Sequence, residues 1–300
     1  MTNSNSTSSN KFLEIFDELK GYKEGQIYYL TSGGNAGDAL INASFYILAK
    51  RNNIKFKQIK PEEQYPQFNK NDILLIAGGG TIVADWDSIP NAITTILKHY
   101  VVPKIIILPQ SIYGINTLIN QFPTETIVFC REKRSFDYCK SNGHKNSFIE
   151  EDLALKLDIN ELNKQEAIRP KTTLKNLIRH VLFYLHYFRS KVLRRKEIKA
   201  FRTDKESTRN QHLWYIINDL SLIASFGQDN EKETFYTAKK FLELLDLYDT
   251  IYTDRLHITI GGYLLNKKVI IFDNKYGKCS GVYEESLRDK ENIQLEERKK

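Results

Sequence analysis

The 300-residue chain is 41% hydrophobic and 27% charged, with 15 Gly and 7 Pro. That composition excludes disordered, collagen-like and low-complexity classes and leaves one large domain or two of about 150 residues each. The net charge of +7 is concentrated: Lys171, Lys175, Arg179, Arg189, Lys191, Arg194, Arg195, Lys196 and Lys199 stand against Glu197 alone in Lys171–Lys199, so the remainder is close to neutral and a general nucleic-acid binder is excluded.

Met1–Asn10 is rich in Ser, Thr and Asn, has neither a basic start nor an apolar run, and reads as a disordered tail rather than a secretory signal. Gln26–Thr31 is a strand run. It leads through Ser32-Gly33-Gly34-Asn35-Ala36-Gly37-Asp38 into the helical pattern Ala39–Lys50. Asp72–Ala77 repeats the arrangement, running into Gly78-Gly79-Gly80-Thr81 and a helix over Ile89–His99. Both glycine stretches are expected to be loops whose backbone approaches an anion, although neither is a dinucleotide fingerprint or a phosphate-binding loop with G-K-S/T. Strands follow at Lys104–Leu108, Thr126–Cys130 and Ser147–Ile149, with a helix at Lys133–Asn142. Cys130, Cys139 and Cys279 have no metal-ligand spacing and are expected to be reduced thiols of a cytoplasmic protein.

The basic segment carries Leu177, Ile178, Val181, Leu182, Leu185, Phe188, Val192 and Leu193 at helical spacing, with Phe183, Tyr184 and Tyr187 among them. Two readings fit this amphipathic helix: an inter-domain connector whose apolar stripe packs on a domain, or a helix lying on an anionic membrane surface. Strand and helix signals then resume at Ile198–Arg202, His212–Ile217, Glu233–Asp246, Thr250–Thr253, Arg255–Leu265 and Lys268–Phe272, and the charged tail Glu284–Lys300 reads as a final helix. The alternation predicts an α/β fold with parallel sheets: an N-terminal domain over 1–165, a basic connector over 166–197 and a C-terminal domain over 198–300.

Ligands of parallel sheets collect beyond the carboxyl ends of strands, and Tyr252-Thr253-Asp254-Arg255-Leu256-His257 lies at such an end. Thr253 or Asp254 can cap the next helix, which puts Arg255 and His257 in its first turn beside free backbone N–H groups: an anion site with a titratable group. Lys278, in Asp273-Asn274-Lys275-Tyr276-Gly277-Lys278 after the last strand, adds a second cation on the same side. His99, His144, His180, His186 and His212 have no ligand-like spacing, and no metal is implied.

Taken together, Gly33–Asp38, Gly78–Gly80, Leu108-Pro109-Gln110-Ser111-Ile112, Arg131-Glu132 with Ser135, Glu151-Asp152-Leu153-Ala154, Phe201-Arg202-Thr203-Asp204 and Asp254-Arg255-Leu256-His257 resemble the polysaccharide pyruvyl transferases. The resemblance covers most of the chain and implies two Rossmann-like domains facing a cleft, a GT-B-like arrangement. It implies transfer of the enolpyruvyl-derived group of phosphoenolpyruvate onto a sugar of a cell-surface polysaccharide or its lipid-linked precursor, as a ketal, with no cofactor. On that pattern Arg202, Arg255 and His257 serve donor binding and catalysis, with His257 the candidate general acid; by their places at strand ends Gly33, Gly34, Asn35 and Lys278 are expected to bind the donor too, and Asp38 is a candidate base that a helix N-cap role explains equally well. The expected partners are phosphoenolpyruvate and a carbohydrate acceptor, and the expected location is cytoplasmic, at the inner face of the membrane if the basic helix lies on lipid. The nearest alternative is a nucleotide-sugar glycosyltransferase of the same two-domain build.

Overall fold

Apolar β-branched runs bounded by polar turns pair here as two separate parallel sheets. The structure, a computed structural model, describes residues 4–61, 64–101, 104–207, 218–274 and 277–296. His212–Ile217, Val102-Pro103 and Lys275-Tyr276 therefore lie outside the described residues. By internal contacts the chain divides into one unit of Met1–Gly33 with Phe45–Leu153 and a second of Gly34–Ser44 with Ala154–Lys300. That division differs from the sequence boundaries at 165 and 197, because the segment read as a connector makes its contacts within the second unit.

The first part of the chain runs α1 (Ser4–Leu19), β1 (Ile27–Leu30), α2 (Ala36–Arg51), β2 (Lys57–Ile59), β3 (Ile73–Ile76), β4 (Gly79–Val83), α3 (Ser88–His99), β5 (Lys104–Tyr113), α4 (Asn116–Ile119), β6 (Ile127–Cys130), α5 (Lys133–Ser141) and β7 (Ser147–Ile149). Its sheet has the order β2-β1-β3-β5-β6-β7, with β4 also on β5, and every pair is parallel. Strands β1, β3 and β6 are buried along their whole length, as expected for a sheet covered on both faces. Tyr29 stacks on Phe45 with ring centroids 3.9 Å apart, and each fully buried side chain of this kind stabilises by roughly 1.5–3 kcal/mol.

Two expectations are corrected here. The Ser/Thr/Asn-rich start is helical from Ser4, because Phe12, Ile15, Phe16 and Leu19 recur at helical spacing and are all buried, so the helix extends back from an anchored apolar stripe. Gly79-Gly80 are strand rather than anion-binding loop: β3 and β4 follow one another along the ten residues of β5, with Gly79 opposite Gln110. The Gln110 side chain accepts from Thr81 N–H at 3.3 Å and donates to Ala77 O at 2.9 Å, replacing the ladder bonds missing at the break. Pro109 is tolerated inside β5 because the register with β6 shifts between Ile107 and Gln110.

The second unit contains α6 (Ile159–Lys164), α7 (Leu174–Lys191), β8 (Glu197–Ala200), α8 (Leu220–Ile223), α9 (Glu231–Asp246), β9 (Thr250–Thr253), α10 (Leu256–Leu264), β10 (Lys268–Phe272), α11 (Lys278–Val282) and β11 (Ile293–Glu296). Its sheet runs β11-β10-β9-β8, all parallel. Of the tail expected as a final helix, the described residues instead make one π-helical turn at Tyr283–Leu287 and strand β11, because Ile293 and Leu295 match the pleat of β10. Among the described residues no helix is long and apolar enough to cross a membrane.

Candidate active site

At the carboxyl ends of β8, β9 and β10 the chain leaves the second sheet through three loops, each contributing a cation. Arg202 follows β8, Arg255 follows β9 and Lys278 opens α11 after β10, and all three are buried. Cations taken out of water need partners, and two carboxylates bind all three together. Arg202 grips Asp204 with two prongs, Nε to Oδ1 at 2.8 Å and Nη2 to Oδ2 at 3.1 Å, while its Nη1 donates to Glu206 at 2.5 Å. Arg255 Nη2 donates to the same Asp204 at 3.0 Å and to Asp219 at 2.5 Å. Glu206 also accepts from Lys278 Nζ at 2.8 Å and from Asn274 at 2.9 Å.

Electrostatics follow from this sharing. Burial alone would lower the pKa of Arg202, but Glu206 and Asp204 raise it, so the guanidinium stays charged. Burial would likewise raise Asp204, yet Arg255 and Arg202 hold its carboxyl below the ordinary value, which makes it a poor base. Asp204 is also the open member of the set, with 24% of its side chain exposed against 3% for Glu206 and none for Asp219. Arg255 Nε is buried without a hydrogen-bond partner among the described residues. A buried donor left in that state costs about 1–3 kcal/mol, so an incoming acceptor oxygen is favoured there.

The local backbone explains how Arg255 and His257 reach this end. Arg255 is itself the N-cap of α10, in extended conformation, so His257 falls in the first turn. The expected side-chain caps do other work. Thr253 Oγ1 accepts from Arg255 N–H at 3.1 Å and donates to Ala200 O, and Asp254 Oδ1 accepts from Arg202 N–H at 2.8 Å. These bonds clamp the ends of β8 and β9 together and fix both arginines.

His257 is half-buried and packs against the segment Gly34–Ser44, which belongs to the same unit. A Cβ at Gly37 would come within 2.5 Å of His257 Cβ and 2.6 Å of its Nδ1, so glycine is required for this approach. The loop is locked by a capping box: Asn35 Oδ1 accepts from Gly37 N–H at 2.8 Å and Asp38 Oδ2 accepts from Asn35 N–H at 2.9 Å. Gly34 leaves room for that Asp38 oxygen, which a Cβ would meet at 2.0 Å. The Asn35 N–H expected to face an anion is thus bound to the protein's own carboxylate. Gln228 donates to Asn35 O at 3.1 Å and its Oε1 accepts from Asn42 at 3.0 Å, holding the loop within the second unit. Gly33 groups with the first unit, and a Cβ there would meet nothing within 4 Å.

Of the residues expected at the site, Arg202, Arg255 and Lys278 are joined through shared carboxylates, and His257 lies with Gly37 in the same unit. Glu206 and Asp219 were missed. The signal that could have found them is electrostatic: three cations predicted for buried strand ends require acids, and Glu206 lies four residues after Arg202. Cys279 sits behind the cluster, its thiol 3.3 Å from Asp254 O and pushed up to about 12 by burial. Among the described residues no group of three His, Cys, Asp or Glu side chains is placed to hold a metal ion.

Parallel sheets, with three buried cations on shared carboxylates at the strand ends of the second, define an α/β protein. The family model for polysaccharide pyruvyl transferases matches residues 35–276, and the chain belongs to that family. The match includes Arg202, Arg255, Asp204, Glu206 and Asp219, ends two residues before Lys278, and does not favour the glycosyltransferase alternative. Among solved structures it is similar to a functionally uncharacterised protein from Klebsiella pneumoniae subsp. pneumoniae, 27% identical over 99% of this chain and 100% of that one, with a TM-score of 0.72. No curated protein matches the chain in sequence.

Proposed function

We propose that the protein transfers the enolpyruvyl-derived group of phosphoenolpyruvate to a carbohydrate acceptor in the cytoplasm, forming a pyruvate ketal and releasing phosphate without a cofactor. The supporting observation is the convergence of Arg202, Arg255 and Lys278 on shared carboxylates, with Arg255 Nε buried and lacking an acceptor, at the start of the helix that carries His257. Phosphoenolpyruvate carries a phosphate and a carboxylate, and guanidinium forks match such groups better than ammonium points. The fork of Arg202 holds Asp204, so donor binding in this reading displaces the partly exposed Asp204 carboxylate from the guanidiniums. The GT-B-like pairing of two Rossmann-like units and a lipid-linked precursor as acceptor belong to the same proposal.

In the reaction His257 delivers a proton to the methylene carbon and one sugar hydroxyl attacks C2. The C–O bond to phosphate then breaks and a neighbouring hydroxyl closes the ketal. The two hydroxyl protons leave to the imidazole and to phosphate, which balances the step. Gly37 and the Asn35–Asp38 capping box set the position of His257, so Asp38 acts as a positioning residue. Phosphate release from phosphoenolpyruvate in the presence of candidate acceptor glycans tests the reading. Acceptor-dependent release supports it, and turnover only with a nucleotide sugar overturns it.

A further inference from the structure

Helix α7 meets its own unit with the less hydrophobic of its two faces. The buried stripe is Asn176, Phe183, His186 and Ser190, and its polar members are tied down. Asn176 donates to Phe226 O at 2.8 Å, Ser190 to Leu247 O at 2.5 Å, and His186 pairs with the Tyr248 hydroxyl. The opposite stripe, at helical spacing, faces outward: Leu174 is 74% exposed, Leu177 52%, Ile178 53%, Val181 63%, Tyr184 68% and Phe188 49%. The connector reading, in which this stripe packs on a domain, is thereby corrected. An exposed apolar stripe about 21 Å long marks an interaction surface.

Its surroundings indicate the partner. Lys175, Lys191, Arg194, Arg195 and Lys196 are exposed around the stripe. After the helix Arg194 adopts a left-handed conformation (φ 51°), and Arg195 N–H donates to Arg189 O at 3.2 Å, which turns the chain back on itself. This turn leaves a hollow of about 200 Å³ lined by Arg189, Arg195 and Lys199 together with Glu197, Asn218 and Tyr248. A second copy docking face to face would oppose these like-charged rims, since Glu197 is the only acid in Lys171–Lys199.

We propose that α7 docks the protein on an anionic lipid bilayer, its apolar stripe entering the boundary between headgroups and acyl chains and the Arg189–Arg195–Lys199 hollow receiving a lipid phosphate. Tyr184 and Tyr187 then sit at headgroup level, where amphipathic rings are favoured. The proposal stands on the helix and the hollow, so its failure would leave the pyruvyl-transfer reading untouched.

The test is sedimentation of the full chain with vesicles of phosphatidylglycerol and phosphatidylcholine, and with phosphatidylcholine alone. Binding to the anionic vesicles that falls as salt rises is expected, with little binding to phosphatidylcholine. Arg195→Gln with Lys199→Gln should weaken it roughly 25-fold, about fivefold per charge. Leu177→Ser with Val181→Ser should weaken it without moving the urea midpoint, because both side chains are exposed. Failure to sediment at low salt, or equal binding to both vesicle types, would overturn the proposal. So would a dimer that Val181→Ser dissolves, or a hollow that binds inorganic phosphate while the protein ignores vesicles.

Discussion

In the first unit Arg131 donates to Asp152 at 2.6 Å and to Ser111 at 2.9 Å, while Ser111 donates to Glu132 and Ser135 accepts from Ile112 N–H. In the second unit Arg202, Arg255 and Lys278 share Asp204, Glu206 and Asp219. Both clusters cross-link strand ends, and both draw on motifs that resemble the pyruvyl transferases. The Arg131 cluster is closed, its side chains no more than 4% exposed. The Arg202 cluster has a partly exposed carboxylate, a guanidinium nitrogen without an acceptor and a histidine in the helical turn that follows Arg255. A shared motif vocabulary therefore does not separate the two clusters; exposure and hydrogen-bond satisfaction do.

The sharpest way to break this comparison is at His257. His257→Gln should lower turnover by about 10²–10⁴ while phosphoenolpyruvate affinity stays within a few-fold, since an amide donates a hydrogen bond but delivers no proton. Steady-state rates with calorimetric binding decide it, and a fully active variant would remove His257 from the chemistry. Arg131→Leu should act on folding instead, destabilising by about 3–5 kcal/mol because it leaves Asp152 and Glu132 buried without their cation. A urea midpoint equal to wild type would show the first cluster is no staple.

Gly37→Ala separates position from chemistry. The new methyl displaces His257, and a shift near 1 Å can cost about 10²-fold in kcat with the fold retained. Unchanged kcat would show that the glycine loop does not set the histidine. The smallest effect is expected at Asp204. Its folded pKa is depressed, so its pairing with the arginines stabilises fully above the ordinary carboxylate value of 3.8 and is lost as pH falls through the lowered folded value. Asp204→Asn should therefore unfold at lower urea than wild type at pH 7, with the gap closing only well below pH 3.8. A gap that does not narrow at all as the pH falls below 3.8 would mean the effect is not electrostatic.

Much of this was legible in the sequence because it is local. Buried parallel strands are written as short apolar runs, so Ser147–Ile149, Thr250–Thr253 and Lys268–Phe272 were read with their bounds as they stand. Arg255 and His257 stood out because they fall at a helix start after a strand, where backbone N–H groups are free. What was missed is pairing between distant residues. Gly79-Gly80 reads as a loop until Gln110 is known to lie opposite, and nothing near Asp219 in sequence announces Arg255 as its partner. Helix α7 shows the same gap, since its periodicity defines two faces while the hydrogen bonds from Asn176 and Ser190 decide which is buried.

The central claim, that the cluster at the ends of β8, β9 and β10 holds the donor, is tested most directly by titrating phosphoenolpyruvate into the wild-type protein and into Arg202→Lys and Arg255→Lys. Each variant keeps the charge and loses the planar fork, so affinity should fall at least about tenfold, as expected when one charged hydrogen bond worth about 1.5–3 kcal/mol is lost. Wild-type affinity in both lysine variants would contradict the account and place the donor elsewhere.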